Sequence, residues 1–279
     1  MKYEFSPVTD FAKLENAVAA LYGSGAAPAQ LERYQGVLQG LEETFGPVER
    51  AAVFSAPGRT EIGGNHTDHQ CGKVLTGSVN LDIIAAVTPN GERVVRLQSE
   101  GFPMMTVDLD DLEVHPEEYN QAVSILRGVA AWFARQGCHL EGFNAYAVSN
   151  VFKGSGLSSS AAVEVLLGNI FNGLFNEDKC TPVQIAQIGQ YVENVYFGKP
   201  SGLLDQMGSS VGGMVTIDFA DNDHPVVEKI DFDFASAGHA LCIIDSGADH
   251  ADLTDEYAAV PGELKKICAH FGKRVLREV

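Results

Sequence analysis

Gly154-Ser155-Gly156-Leu157-Ser158-Ser159-Ser160-Ala161-Ala162 lies between a short apolar run, Phe143–Ser149, and an apolar-periodic stretch reaching about Phe175. The order strand, Gly/Ser loop, helix decides the reading of everything around it. Small residues let a backbone curl closely around an anion, and a new helix presents unpaired N–H donors with positive dipole character. Serine hydroxyls add donors or hold a hard cation. That chemistry suits a triphosphate. It is not the P-loop pattern, because no Lys-Ser or Lys-Thr follows the glycines at the required spacing. The plain alternative is a glycine-rich turn closed by a serine N-cap.

Outward from this loop, the pattern is one of strands interleaved with helices. Two helices are predicted over 10–46. In the second, Leu31, Tyr34, Leu38, Leu41 and Phe45 recur at steps of three or four, and Gly46-Pro47 stops it. A strand is predicted over 50–56, then a Gly-rich polar loop from Pro57 to Gly72. Strands at 79–88 and 92–98 are joined by Pro89-Asn90-Gly91, a strong turn signal. A helix is predicted over 119–136 and helical pattern over 181–197. Further strands are predicted at 213–219, 226–232 and 240–245, and a last helix from Thr254 is interrupted by Pro261. Strand pairs mixed with crossing helices fit an α+β or mixed-sheet fold.

Composition removes several classes of function. A chain of 279 residues with 45% hydrophobic and 20% charged residues is ordinary for a globular protein. The formal net charge of -18, with only 19 Lys and Arg and no basic run, repels phosphate backbones and anionic membrane surfaces. No nucleic-acid or membrane partner is expected. The same field repels a nucleotide triphosphate, so binding one needs backbone donors and a metal cation. The five cysteines, Cys71, Cys138, Cys180, Cys242 and Cys268, form no C-x-x-C pair, which argues against a disulfide framework or structural zinc. With no basic-then-apolar leader and no span of roughly 18 apolar residues, the expected location is the cytoplasm.

Two other segments carry chemistry-bearing residues. Residues 202–206 read Gly-Leu-Leu-Asp-Gln, with Glu193 twelve positions before Asp205. Residues 56–69 read Ala-Pro-Gly-Arg-Thr-Glu-Ile-Gly-Gly-Asn-His-Thr-Asp-His. Read blandly, Asp205 caps a helix, Glu193 lies on a solvated face, and His66 and His69 are surface residues. His66, Asp68 and His69 could also be metal ligands, although adjacent loop residues rarely complete a tetrahedral site.

Together these segments resemble the GHMP kinases, and galactokinases in particular. Residues 154–162 look like the family's phosphate loop, Pro-x-x-x-Gly-Leu-Ser-Ser-Ser-Ala, without its proline. Residues 202–206 are similar to the galactokinase Gly-Ile-Met-Asp-Gln, and 57–69 to Pro-Gly-Arg-Val-Asn-Leu-Ile-Gly-Glu-His-Thr-Asp-Tyr. The resemblance implies an α+β fold of the GHMP N-terminal type, with a mixed sheet and packed helices. It implies ATP as co-substrate, cradled by Gly154, Ser155, Gly156, Leu157, Ser158, Ser159 and Ser160, with Mg2+ held by Ser160 and Glu193. Asp205 and Arg59 fall on the catalytic pair. Asn65, His66 and Asp68 fall on the sugar site, where a carboxylate accepting from two hydroxyls discriminates epimers. Asn65 replaces the family's glutamate, and Thr60-Glu61 replaces its Val-Asn, so the sugar contact is altered and an amino sugar, another hexose or another small alcohol stays open.

Residues 243–257 are similar to a galactokinase stretch whose tyrosine lines the sugar pocket, which implies a substrate-binding role for Tyr257. The Arg-Arg that usually follows is replaced by Val260-Pro261. The resemblance divides the chain into a helical extension (1–46), a sugar- and phosphate-binding domain (47–235) and the start of a second domain (236–279). Lys273–Val279 resembles a mid-protein segment, so the second domain is expected to be incomplete, its third family motif missing and turnover weak or absent. The expected activity is phosphorylation of the anomeric hydroxyl of galactose or a close relative. A sensor that binds sugar and nucleotide without turnover is the alternative from another class.

Overall fold

The chain is seen in a computed structural model that describes residues 11–151, 156–244 and 254–279, with side chains from residue 14 and, in the last stretch, from residue 259. Its spine is β2 (Lys73–Pro89), a strand of 17 residues. The run Asp82-Ile83-Ile84-Ala85-Ala86-Val87 is apolar without alternation, as expected of a strand covered on both faces. Ile83, Ala85 and Val87 turn to one core, Ile84 and Ala86 to another.

β2 pairs antiparallel with β1 (Ala52–Gly63) along one edge. Its other edge is shared. Ile83–Pro89 pairs with β5 (Phe143–Ser149), and Lys73–Gly77 pairs with β6 (Met214–Asp218). Beyond β5 lie β3 (Val94–Ser99), in the sheet's one parallel pairing among the described residues, and β4 (Met105–Asp108). Beyond β6 lies β7 (Val226–Ile230).

Helices α1 (Phe11–Tyr22) and α2 (Ala27–Phe45) cover one face. α2 buries Tyr34, Val37, Leu38 and Leu41 against Ile84 and Ala86, the stripe its 3–4 spacing predicts. A polar knot pins the pair: buried Asp82 accepts from Arg33 Nη1 at 2.5 Å, Ser55 Oγ at 2.5 Å and the Tyr22 hydroxyl. Burial, then the bond to Asp82, pushes the Tyr22 hydroxyl far above its ordinary range.

α3 (Ala122–Arg135), α4 (Ser159–Phe175) and α5 (Pro182–Val192) cover the opposite face around Leu126, Phe133, Phe143, Phe171 and Ile188. α6 (Leu204–Val211) and α5 meet β6 through Leu204, Met207, Val215 and Ile217. α5 begins with a capping box between Thr181 and Gln184 and runs on into a π-helical turn, Glu193–Phe197. The result is helix, mixed sheet, helix: an α+β arrangement as expected.

Three expectations about elements need correction, and two elements were missed. The predicted loop 57–72 is strand as far as Gly63, with Thr67–Gln70 a 3-10 turn. Pro57 is tolerated because β1 is an edge strand, and the register slips between Pro57 and Arg59. The strand expected at 240–245 is absent over 240–244, where Leu241, Ile243 and Ile244 are exposed and no neighbouring strand pairs with them. α7 (Thr254–His270) continues through Pro261 rather than breaking, since a proline removes one hydrogen bond and a helix of 17 residues keeps the rest. β4 and α6 were not predicted at all. α7 and the chain beyond it lie against the 67–72 turn: Gln70 Oε1 accepts from Leu276 N at 3.0 Å, and Arg277 pairs with Asp218.

Candidate active site

Arg59 and Asp205 are 146 residues apart in sequence and in direct contact. Arg59 sits on β1 just past the register slip and is 5% exposed. Its Nε and Nη2 donate to Asp205 Oδ1 at 3.0 and 2.6 Å, and Nη1 donates to the Gly156 carbonyl at 2.8 Å. One guanidinium fork therefore ties the phosphate-type loop to the carboxylate of α6. Gly58 makes the crossing possible: a Cβ there would meet the Leu157 carbonyl at 3.0 Å, while Arg59 N donates to that same carbonyl.

Ser158 stands at the N-cap position of α4 in the left-handed region, φ 56°. Its hydroxyl does not cap the helix. It donates to Asp205 Oδ2 at 2.5 Å instead. The first intrahelical acceptor is the Ser158 carbonyl, taken by Ala162 N, so the preceding N–H groups of Ser159, Ser160 and Ala161 receive no cap from Ser158. Ser160 is exposed in this first turn. The bland reading of a serine N-cap is thus overturned, as is that of Asp205 as a cap, since α6 takes its cap elsewhere. Asp205 is one-third exposed.

That other cap is Asp68. It is 5% exposed, and its Oδ2 accepts from Leu203 N at 2.9 Å and Leu204 N at 3.1 Å, the start of α6. Gly202 is required beside it: a Cβ there would fall 1.8 Å from Asp68 Oδ2. His69 Nδ1 lies 3.5 Å from Asp68 Oδ1. The loop before Asp68 turns through Gly64, Asn65 and His66, all at positive φ. Glu61 holds this turn, accepting from His66 N at 2.9 Å with its other oxygen 3.4 Å from His66 Nε2. Asn65 and His66 are exposed. The structure therefore brings Asp68 to the start of α6 and turns His66 toward Glu61. Among the described residues no three His, Cys, Asp or Glu side chains converge as a metal cluster.

Glu193 is buried at 4% exposure, not on a solvated face. Gln206 Nε2 donates to Glu193 Oε2 at 3.0 Å and to Glu164 Oε2 at 2.9 Å, and Lys199 Nζ lies 3.6 Å from Glu193 Oε1. Glu164 is fully buried. Its desolvation, then the charge of Glu193, push its carboxyl well above the usual carboxylate range. Glu164 Oε1 and Gln206 Oε1 have no donor. Sequence reasoning did not single out Glu61, Glu164 or Gln206. Gln206 adjoins Asp205, and Glu164 lies one helical turn after Ser160, a spacing that could have flagged it. Gly154 and Ser155 lie outside the described residues. Tyr257 is on α7, its side chain outside them.

Two family models match this chain: "Galactokinase galactose-binding signature" over residues 40–89 and "GHMP kinases N terminal domain" over 123–213. Galactokinase of Streptomyces coelicolor is 32% identical over 240 residues, 86% of this chain and 61% of the relative. Galactokinase of Lacticaseibacillus casei is 34% identical over 178 residues, 63% and 45% respectively. The chain thus spans less than two thirds of the length of these curated relatives. Among solved structures, Lactococcus lactis galactokinase complexed with galactose is 27% identical with a TM-score of 0.63, over 70% of this chain and 51% of that one. Methanococcus jannaschii mevalonate kinase, at 16% identity and a TM-score of 0.54 over 68% of this chain and 59% of that one, shares the fold. No described helix is long and apolar enough to cross a membrane.

Proposed function

Because this chain belongs to the GHMP kinase family and carries the galactose-binding signature of galactokinases, we propose that it supplies the sugar- and phosphate-handling part of an ATP-dependent kinase. The reaction is phosphoryl transfer to the anomeric hydroxyl of galactose or a closely related sugar. The observation that carries this is the contact set around Asp205: Arg59 on one carboxylate oxygen, Ser158 on the other, and the start of α4 alongside.

A sugar hydroxyl is a poor nucleophile, and a carboxylate within hydrogen-bond reach accepts its proton as the P–O bond forms. Asp205 is that acceptor, one-third exposed and held in place from two sides. Arg59 carries positive charge to the point where negative charge builds on the transferring group. The N–H groups opening α4, with Ser159 and Ser160, face the phosphates. Positioning of these groups supplies most of the barrier reduction. Asn65, His66 and Asp68 form the sugar side. Asp68 acts there through α6 as well, since it fixes the turn that presents Asp205. An amide at 65 donates as well as accepts, so the preferred sugar need not be galactose itself.

Magnesium fits the residues present. The donor set near α4 and α6 is hard oxygen, the Ser160 hydroxyl and the Glu193 carboxylate, and the neighbouring Glu164 and Gln206 leave two buried oxygens without a donor. Ser160 and Glu193 would hold the ion, which supplies charge neutralisation across the phosphates. On an acidic chain that contribution offsets the repulsion of ATP.

The test is production of a sugar 1-phosphate from Mg·ATP by this chain and its D205N variant, across a panel of galactose, its epimers and its 2-amino and 2-acetamido forms. Sugar-dependent transfer abolished by D205N is expected. Sugar-dependent transfer that D205N leaves unchanged would refute the catalytic reading.

A further inference from the structure

We propose that Gln206 is a positioning residue: its side-chain amide, anchored on Glu164, holds the Glu193 carboxylate in the orientation that receives the cation. The inference rests on the reading of Glu193 given above. It goes beyond it, because that reading gives Gln206 and Glu164 no part in orienting Glu193.

The geometry is that of a clamp. Gln206 is 1% exposed, Glu164 fully buried and Glu193 4% exposed. Each residue comes from a different element: Glu164 from the second turn of α4, Glu193 from the end of α5, Gln206 from α6. One nitrogen, Gln206 Nε2, spends one hydrogen on each carboxylate, at 2.9 and 3.0 Å. Two like-charged groups brought this close repel, and an amide N–H between them is what lets them share one buried space. Gly189 on α5 clears room for the arrangement: a Cβ there would stand 2.9 Å from Glu164 Oε2 and 3.0 Å from Gln206 Cγ. Gln206 sits next to Asp205 in the chain, so the backbone that carries the proton acceptor also carries the clamp. Glu164 Oε1 and Gln206 Oε1 remain buried without donors. A purely structural interlock of three helices would be made more cheaply from apolar side chains, since unpaired buried oxygens cost stability. Groups that orient a ligating carboxylate typically change metal affinity 10- to 100-fold when removed.

The experiment measures Mn2+ binding by electron paramagnetic resonance, with the non-hydrolysable analogue AMP-PNP present, alongside thermal unfolding. Four proteins are compared: the parent chain, Q206M, E164M and E164Q. Q206M removes both N–H donors at similar volume. E164M removes the anchor. E164Q keeps an acceptor for Gln206 Nε2. Expected is Mn2+ binding weakened at least tenfold in Q206M and E164M and kept within about twofold in E164Q. A merely structural role would lower the melting temperature of Q206M and E164M while leaving Mn2+ affinity unchanged, and that result overturns the proposal. Loss in E164Q equal to that in Q206M overturns it too, by making Glu164 a ligand. If Q206M does not fold, Gly189→Ala displaces the clamp from outside and is held to the same tenfold criterion. Absence of Mn2+ binding by the parent chain would sink the reading of Glu193 and the clamp together. Parent-chain binding that the variants do not disturb sinks the clamp alone.

Discussion

Asp68 and Gly202 offer the sharpest quantitative test, because one bond set can be broken from either side. In D68A, the N–H groups of Leu203 and Leu204 lose a buried charged acceptor. Hydrogen bonds to charged groups contribute about 1.5 kcal/mol or more each, so two give about 3 kcal/mol. For a chain of this size that corresponds to roughly 6–12 °C in melting temperature. In G202A the new methyl would stand 1.8 Å from Asp68 Oδ2, and the three atoms nearest to it all belong to the Asp68 carboxylate. The carboxylate must move, so the same two N–H groups are orphaned and a similar loss of about 3 kcal/mol is expected. Once the carboxylate is gone, no other atom stands within 3.0 Å of the methyl. The double variant D68A/G202A is therefore expected to be hardly less stable than either single one, a coupling of about 3 kcal/mol. Urea unfolding of the four proteins followed by circular dichroism measures it. Additive losses would show that Asp68 does not hold the start of α6.

The remaining expectations concern charge. R59K keeps the charge but loses the fork that joins Asp205 to the Gly156 carbonyl; transfer to sugar should fall by about 100-fold, measured as initial rate. Glu164 is raised by burial and by Glu193, so the folded state holds its proton more tightly than the unfolded chain does. Its contribution is complete below the ordinary glutamate range and is lost as pH rises above it, so in metal-free buffer E164Q should gain stability relative to the parent chain as pH rises from about 5, read from thermal melts. Asp218 shows the opposite sign. Arg277 beside it holds its carboxyl far below the usual range, so the tie is present above about pH 4 and weakens below it, and the melting-temperature gap between parent and R277A should narrow over that interval.

What could be read in advance follows physical lines. The α2 stripe carries a repeating local signal and the Gly/Ser turn into α4 a compositional one, and both were legible; of β2 only 79–88 was read as strand. The pairing of Arg59 with Asp205 was legible only through the family likeness, since nothing local joins residues so distant. β1 was cut short because Pro57, Gly58 and Gly63 read as loop chemistry, while the edge position that tolerates them is a property of the assembled sheet. α6 escaped notice because its eight residues include Gly208, Ser209 and Ser210, too few and too small to show a period. The apolar residues 240–244 carry a strand's composition without a partner to pair with. Whether Glu193 faces water or the interior depended on Gln206 and Glu164 arriving from other helices, which no spacing within 181–197 records.

The long strand β2 has a consequence for how the chain reaches its folded state. Its early residues wait for Met214–Asp218 and its late ones for Phe143–Ser149, so the central ladder closes only after nearly half of the polypeptide has followed it. Such distant pairings exact their loop-closure entropy before returning any contact energy, which slows folding. On the ribosome Lys73–Gly77 emerges as an unmatched edge and stays so until β6 is made. Val74, Leu75 and Thr76 are then the first place at which a nascent chain would be captured by a chaperone or by a second copy of itself.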